Sequence, residues 1–315
     1  MANFASTGDL SEKKVTFEEI GRDLYAFTAE GDPNSGIIVG DDGVMVIDAQ
    51  ATPVMAKDVI ERVKKVTDKP ITHVLLTHYH AVRVLGASAY NAKAILASDA
   101  TRDLIVERGK QDMDSEIGRF PRLFRAEESI PGLTWPTVTF PKEITVWLGK
   151  REVKIRHIGR GHTAGDVVAY VPDANVVFSG DLVEYHSACY CGDAHLQDWP
   201  NTLNKLAEFG SAALVPGRGA ALKSARQVTD GIKLTKAFLS DLYGSILPVA
   251  QKGGTLKDAW NAARAAMDTK YATFAIYEHC MPFNVSRAYD EARGIYHPVI
   301  WTAERDREMW KALQG

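Results

Sequence analysis

The chain opens with short apolar runs separated by turn signals. LYAFTAE (24–30) alternates apolar and polar positions, the period of a half-buried strand. GIIVGDDGVMVIDAQ (36–50) holds two apolar runs, Ile37-Ile38-Val39 and Val44-Met45-Val46-Ile47, and Asp41-Asp42-Gly43 between them is a hairpin signal. The period then changes. Val54, Val59, Ile60 and Val63 follow helical spacing until Asp68-Lys69-Pro70 closes the helix, and ITHVLLTH (71–78) returns as an apolar strand. Strand, helix, strand predicts a parallel pair joined by a crossover.

Further along, AILAS (94–98) reads as a strand and residues 99–115 as a charged helix. Residues 116–141 carry Pro121, Pro131, Pro136 and Pro141 and read as a long irregular connection, the kind that often borders a site. Short strands return between 143 and 179. A helix is expected over 199–209 and a strand at AALVPG (212–217). From 221 the pattern is helical, with Thr255 a candidate cap. No repeat and no Gly/Ser/Pro-rich linker interrupts the chain. That predicts one domain, 1–220, with a helical C-terminal extension, 221–315, packed on it rather than hinged.

Composition narrows the function. The chain is 45% hydrophobic and 24% charged, ordinary globular values. A net charge of -3 makes no electrostatic case for nucleic acid or anionic membrane as a partner. No run approaches the ~20 apolar residues a membrane span needs. The cysteines, Cys189, Cys191 and Cys280, are odd in number and irregularly spaced, which is not a disulfide framework. MANFASTGDLSEKK has no basic stretch followed by an apolar run, so a cytoplasmic location is expected. The partner expected is a small-molecule substrate.

Candidate chemistry begins at THYHAVR (77–83). His78 and His80, two apart in an extended or turning segment, point the same way. GHTAGD (161–166) puts His162 in a glycine-flanked turn, and FSGD (178–181) puts Asp181 at a strand end. VPGRG (215–219) places Arg218 in a turn after a strand, and DAQ (48–50) places Asp48 at another strand end. Polar groups on glycine-flanked strand ends are a way to assemble a site on a rigid sheet. His73 and His157 lie within strands and read as structural.

In this order and spacing the segments resemble the metallo-β-lactamase superfamily over residues 20–220. The family pattern is a threonine with His-x-His-x-Asp-His, then Gly-His-Thr, then Gly-Asp at a strand end, then Gly-His-Gly. Here THYHAVR, GHTAGD, SGD and PGRG take those places, and NSGIIVGDDGVMVIDA resembles the entry hairpin ending at Asp48. The resemblance implies an α/β fold, a four-layer αββα sandwich with metals in a groove at one edge. It implies His78, His80 and His162 as ligands of the first metal position, Asp181 as the bridging carboxylate, and Asp48 as the residue that orients the histidine loop. The ligands exclusive to the second position are replaced by Val82, Arg83 and Arg218.

One metal is therefore expected. Three neutral imidazoles leave one tetrahedral position open on zinc, where a water's pKa falls to about 7. Asp181 either completes the ligand set or accepts the water's proton. The function implied is a mononuclear zinc hydrolase whose zinc-bound hydroxide attacks an electrophilic carbon of an ester, lactone, amide or activated aryl ether. Iron or manganese at the same histidines is a weaker option. Arg83 and Arg218 are expected to take part in catalysis by clamping Asp181 or an anionic group. Phe120, Phe124, Trp135 and Tyr185 suit a flat or apolar substrate. The alternative is an inactive subunit that supports an active homologous partner, or that binds an anion at the Arg83/Arg218 pocket. The Arg- and aromatic-rich C-terminal stretch suits a subunit interface, so a homo-oligomer or a hetero-oligomer with a homologous subunit is expected. His186 and His195 are candidate extra ligands, and Cys189 and Cys191 read as loop residues.

Overall fold

A computed structural model describes residues 5–314. The alternation of the first hundred residues becomes one mixed sheet. Its strands are β1 (Val15–Gly21), β2 (Leu24–Ala29), β3 (Asp32–Val39), β4 (Val44–Ile47), β5 (Ile71–Leu75), β6 (Ala94–Ser98) and β7 (Val138–Phe140), in that spatial order. The expected hairpin joins β3 to β4, and α1 (Pro53–Val63) carries the chain across to β5, which pairs parallel with β4. Thr52 caps α1 by accepting from the Met55 N–H at 3.2 Å, and Pro53 enters where no N–H is needed. A short helical turn, α2 (Ala81–Val84), leads toward β6, and α3 (Asp99–Arg119) follows it. Thus α3 runs one turn beyond the expected 99–115, which puts Glu116 on a helix rather than in the loop.

A second sheet follows in the order β12–β11–β10–β9–β8. Its strands are β8 (Glu143–Leu148), β9 (Arg151–Arg156), β10 (Val168–Val171), β11 (Val176–Glu184) and β12 (Ala213–Arg218). α4 (Trp199–Ala207) connects the last two, which pair parallel. The helices α5 (Ala225–Gln251), α6 (Leu256–Tyr271), α7 (Tyr277–Ala292) and α8 (Ala303–Gln314) make up the C-terminal extension. α6 begins at the expected Thr255, which forms a reciprocal capping box with Asp258.

Strand alternation sorts the side chains into layers. Ile38, Met45 and Leu75 of the first sheet meet Val153, Val176 and Phe178 of the second in the sandwich interior. Their neighbours Ile37, Val46 and Val74 face outward onto Val59 and Val63 of α1. Val177 and Leu214 face outward from the second sheet onto Trp199, Leu203, Phe238 and Leu242 of α4 and α5. The result is the four-layer αββα arrangement. The C-terminal ends of β4, β5, β11 and β12 all reach one rim of the sandwich, and the candidate residues sit there. No helix among the described residues is long and apolar enough to cross a membrane.

Candidate metal centre

The turn after β5 carries Thr77, His78 and His80, and the turn before β10 carries His162. Each histidine has one ring nitrogen already committed. His162 Nδ1 lies 2.9 Å from the Tyr190 carbonyl oxygen, so it donates there and its Nε2 is bare. His78 Nδ1 lies 3.0 Å from Thr77 Oγ1, whose own proton goes to Asp48 Oδ2 at 2.9 Å. Nδ1 is then the donor, and His78 Nε2 is a buried nitrogen with no partner among the described residues. His80 Nε2 meets Asp193 Oδ2 at 3.2 Å, which leaves Nδ1 facing His162 Nε2 at 2.9 Å. These protons are assigned from the hydrogen-bond network.

Three bare lone pairs therefore converge within 4.8 Å of one another in a buried site. Lone pairs repel, so the arrangement calls for a cation between them. A tetrahedral zinc at its usual bond lengths wants its donors about 3.3 Å apart. Asp181 Oδ2 stands 3.6 Å from His162 Nε2 and 3.8 Å from His78 Nε2, close to that spacing. The residues present fit a single metal with His78, His80, His162 and Asp181 around it.

The electrostatics agree. Burial pushes His78 well below its usual pKa and His162 down to about 3, so both stay neutral. Burial also opposes charge on His80, but Asp112, Asp193 and Glu116 outweigh it and push it up to about 9. Burial would raise Asp181, but Arg83 beside it, with the histidines and Arg218, holds its carboxyl far below the usual carboxylate range.

Close backbone approach makes this geometry possible at two glycines. Gly180, at φ +51° in an irregular stretch of β11, lets Thr77 sit against the strand; a Cβ there would meet Thr77 Oγ1 at 2.5 Å. A Cβ on Gly217 would lie 2.1 Å from Asp181 Oδ1. Asp48, at φ +59°, accepts from the Thr77 N–H (2.9 Å) as well as its hydroxyl, so it holds the histidine turn from behind.

The arginines divide their work. Arg83 is fully buried, donates to the Asn34 and Gly217 carbonyl oxygens at 3.0 and 2.8 Å, and pairs with Asp181 Oδ1. Arg218 donates to the Gly31 carbonyl oxygen at 3.1 Å and faces Glu184 Oε1 at 3.8 Å. Only Arg83 clamps Asp181 directly. Arg83 and Arg218 bring two positive charges and Asp181 a negative one, while burial and the neighbouring Asp181 push the Glu184 carboxyl well above the usual carboxylate range, toward its neutral form.

A small cavity adjoins His80, His162, Asp181 and Arg218. It offers about 10 Å³ to water centres, room for about one water. Glu116 of α3 and Phe120 just after it form one wall, and Ile276, His279 and Cys280 at the start of α7 form another. Of the aromatic residues expected to shape a flat pocket, Phe120 lines it. Phe124 is packed in the helix-facing core, Trp135 is exposed, and Tyr185 meets His186 edge-on. A roomier cleft of about 470 Å³ lies elsewhere, under the N-terminal segment; its arginines are paired with Asp32 and Asp58, and none of the candidate ligands line it.

Residues 28–218, more than half the chain, match the sequence profile of the metallo-β-lactamase superfamily. The chain belongs to that superfamily. A metallo-β-lactamase of Chryseobacterium indologenes is 29% identical over 191 residues, 58% of this chain and 70% of that protein. Among solved structures, a metallo-β-lactamase from Pontibacter korlensis superposes with a TM-score of 0.58 at 20% identity, covering 72% of this chain and all of that one. A stereoselective inverting sec-alkylsulfatase from a Pseudomonas species superposes with a TM-score of 0.70 at 16% identity, covering 90% of this chain and 51% of that one. At these identities the structural likenesses speak for the fold alone. The last of them spans more of the chain than the matched superfamily region does.

Within this superfamily member, His186 and His195 do not join the histidine group. His186 is exposed and meets the Tyr185 and Phe274 rings edge-on, while His195 is buried beside a separate small cavity behind Asp193. Cys189, Cys191 and Cys280 are buried free thiols. Sequence reasoning missed Glu116, Glu184 and Asp193. For Glu184 a signal existed, since it lies three residues after Asp181 on the same strand. For Glu116 and Asp193 none did, because neither falls in a recognisable motif.

Proposed function

We propose that the protein is a hydrolase built around one zinc, delivering a single activated water to an electrophilic carbon. One observation carries the proposal. Three bare imidazole nitrogens converge within 4.8 Å of one another, with Asp181 Oδ2 3.6 and 3.8 Å from two of them, beside a second position whose side chains are Val82, Arg83 and Arg218. Three imidazoles and a carboxylate suit zinc, which when bound supplies Lewis acidity and lowers a water's pKa to about 7.

The chain's own residues would do the rest. Arg83 keeps Asp181 ionised and fixed, so Asp181 orients rather than stores a proton. Arg218 faces the cavity and offers fixed positive charge to a group that departs as an anion. Attack at an acyl carbon expels an alkoxide or phenoxide, and attack at the alkyl carbon of a sulfate ester expels sulfate; either leaving group fits that charge.

The size of the cavity favours a second reading. Room for about one water leaves no space for substrate over the histidines until the wall moves, as in an inactive subunit of a larger assembly. Elemental analysis per chain, followed by a screen of aryl esters, lactones and alkyl sulfates, separates the readings. About one zinc per chain, lost in His78→Ala, with turnover of one of these classes supports the hydrolase. Zinc without turnover favours the inactive subunit. A protein that takes up no metal would refute the metal centre.

A further inference from the structure

The loop between β11 and α4 carries Asp193, buried at 4% exposure. Three acids surround His80, but two have other duties. Asp112 accepts the Ala81 N–H at 2.7 Å and Glu116 accepts the Val82 N–H at 3.1 Å, so both hold the turn that follows His80. Asp193 is the acid that meets the ring, through Oδ2 at 3.2 Å from Nε2. Its other oxygen is held by Arg108 Nη1 of α3 at 2.9 Å, and the same Nη1 donates to the Pro298 carbonyl oxygen at 3.0 Å. The loop itself is tied to α7. The Cys191 N–H donates to Asn284 at 2.7 Å, Arg287 donates to the Ala194 carbonyl oxygen at 2.7 Å, and the Leu196 and Gln197 N–H groups donate to Glu291 at 2.9 Å.

We infer that Asp193 is a positioning residue for His80, and that the C-terminal extension sets the protein's metal affinity through it. The ionised carboxylate keeps the proton on Nε2 and fixes the ring plane, so Nδ1 presents its lone pair to the metal position. A carboxylate behind a ligating imidazole also makes it a stronger donor, and losing such a partner typically costs 10–100-fold in metal affinity. Asp193 cannot be reached by local sequence: Arg108 lies 85 residues before it, and α7 some 90 residues after it. The superfamily core is therefore completed by helices outside the matched region.

The inference rests on the proposed metal centre, and one experiment tests both separately. Full-length wild type, Asp193→Ala and Asp193→Asn are stripped of metal and titrated with zinc against a chromophoric chelator. Each is then loaded with cobalt(II) for its d–d spectrum. The expected result is 10–100-fold weaker zinc binding in Asp193→Ala. The isosteric Asp193→Asn should lose about tenfold and shift its cobalt bands, because the ring turns; it also covers the case in which alanine prevents folding. Wild-type binding with both variants within threefold would overturn this inference alone. Weakened binding with unchanged cobalt bands would make Asp193 a packing residue and overturn it too. No binding by wild type would overturn the metal centre and this inference together.

Discussion

Arg83 offers the sharpest energetic test, because its side chain is fully buried and its guanidinium holds Asp181 and two carbonyl oxygens. Replacing it with methionine keeps most of the volume and removes the charge. Asp181 is then left as a buried carboxylate without its paired guanidinium. The Asn34 and Gly217 carbonyl oxygens also lose their donors, at 3.0 and 2.8 Å in the native protein. Breaking a buried pair from one side costs about 3–5 kcal/mol, and each lost hydrogen bond adds about 1 kcal/mol. Some of that returns if Asp181 takes up a proton, so Arg83→Met should cost about 3–5 kcal/mol, a large share of a typical domain's stability. The assay is urea unfolding of chelator-treated protein, followed by circular dichroism and tryptophan fluorescence to check that the transitions coincide. Asp181→Asn should also destabilise, and the double variant should recover part of the loss, giving a coupling of about 2 kcal/mol or more. A cost below about 1 kcal/mol for Arg83→Met, or simple additivity in the double variant, would mean the pair does not hold the rim together.

Three further outcomes follow from the same geometry. Metal-free protein should lose stability as pH rises from 7 to 9. His80 is pushed up to about 9 while its unfolded value is about 6.5, so the native state keeps a proton the unfolded chain has released. The unfolding free energy should fall by on the order of 1 kcal/mol per pH unit over that window, and a rising urea midpoint would contradict the assignment. Gly217→Ala should weaken zinc binding and cost about 1–3 kcal/mol, because its Cβ would overlap Asp181 Oδ1; unchanged zinc affinity would show that the rim yields. Ile276 holds a β-branched side chain at φ +56° over the cavity, so Ile276→Gly should cost little or even stabilise, and should speed zinc removal by a chelator. An ordinary loss of several kcal/mol with unchanged removal rate would refute that view of the cavity wall.

Much of the fold was legible because it rests on short-range patterns. Ile37 and Ile38 face opposite sides of their sheet, as alternation requires, and α1 begins at its Thr52 cap. The motif turns were legible for the same reason: a strand end, a glycine and a polar residue lie within a few positions of one another. The loop reading of residues 116–119 failed because Glu116 is recruited by the Val82 N–H, a contact over 34 residues that prolongs α3. The aromatic pocket failed because Phe124, Trp135 and Tyr185 are scattered by packing that local sequence does not encode.

By itself, the sequence determined the order of strands and helices from local spacing, and its resemblance to the superfamily implied the sandwich and pointed to His78, His80, His162 and Asp181 as the candidate site. Only the tertiary structure decided which arginine clamps Asp181, which acid stands behind His80, and how little room is left over the histidines. Those features join segments 80 to 200 residues apart. Burial then decides them: a charge or ring nitrogen removed from water must find its partner wherever the chain brings one within reach.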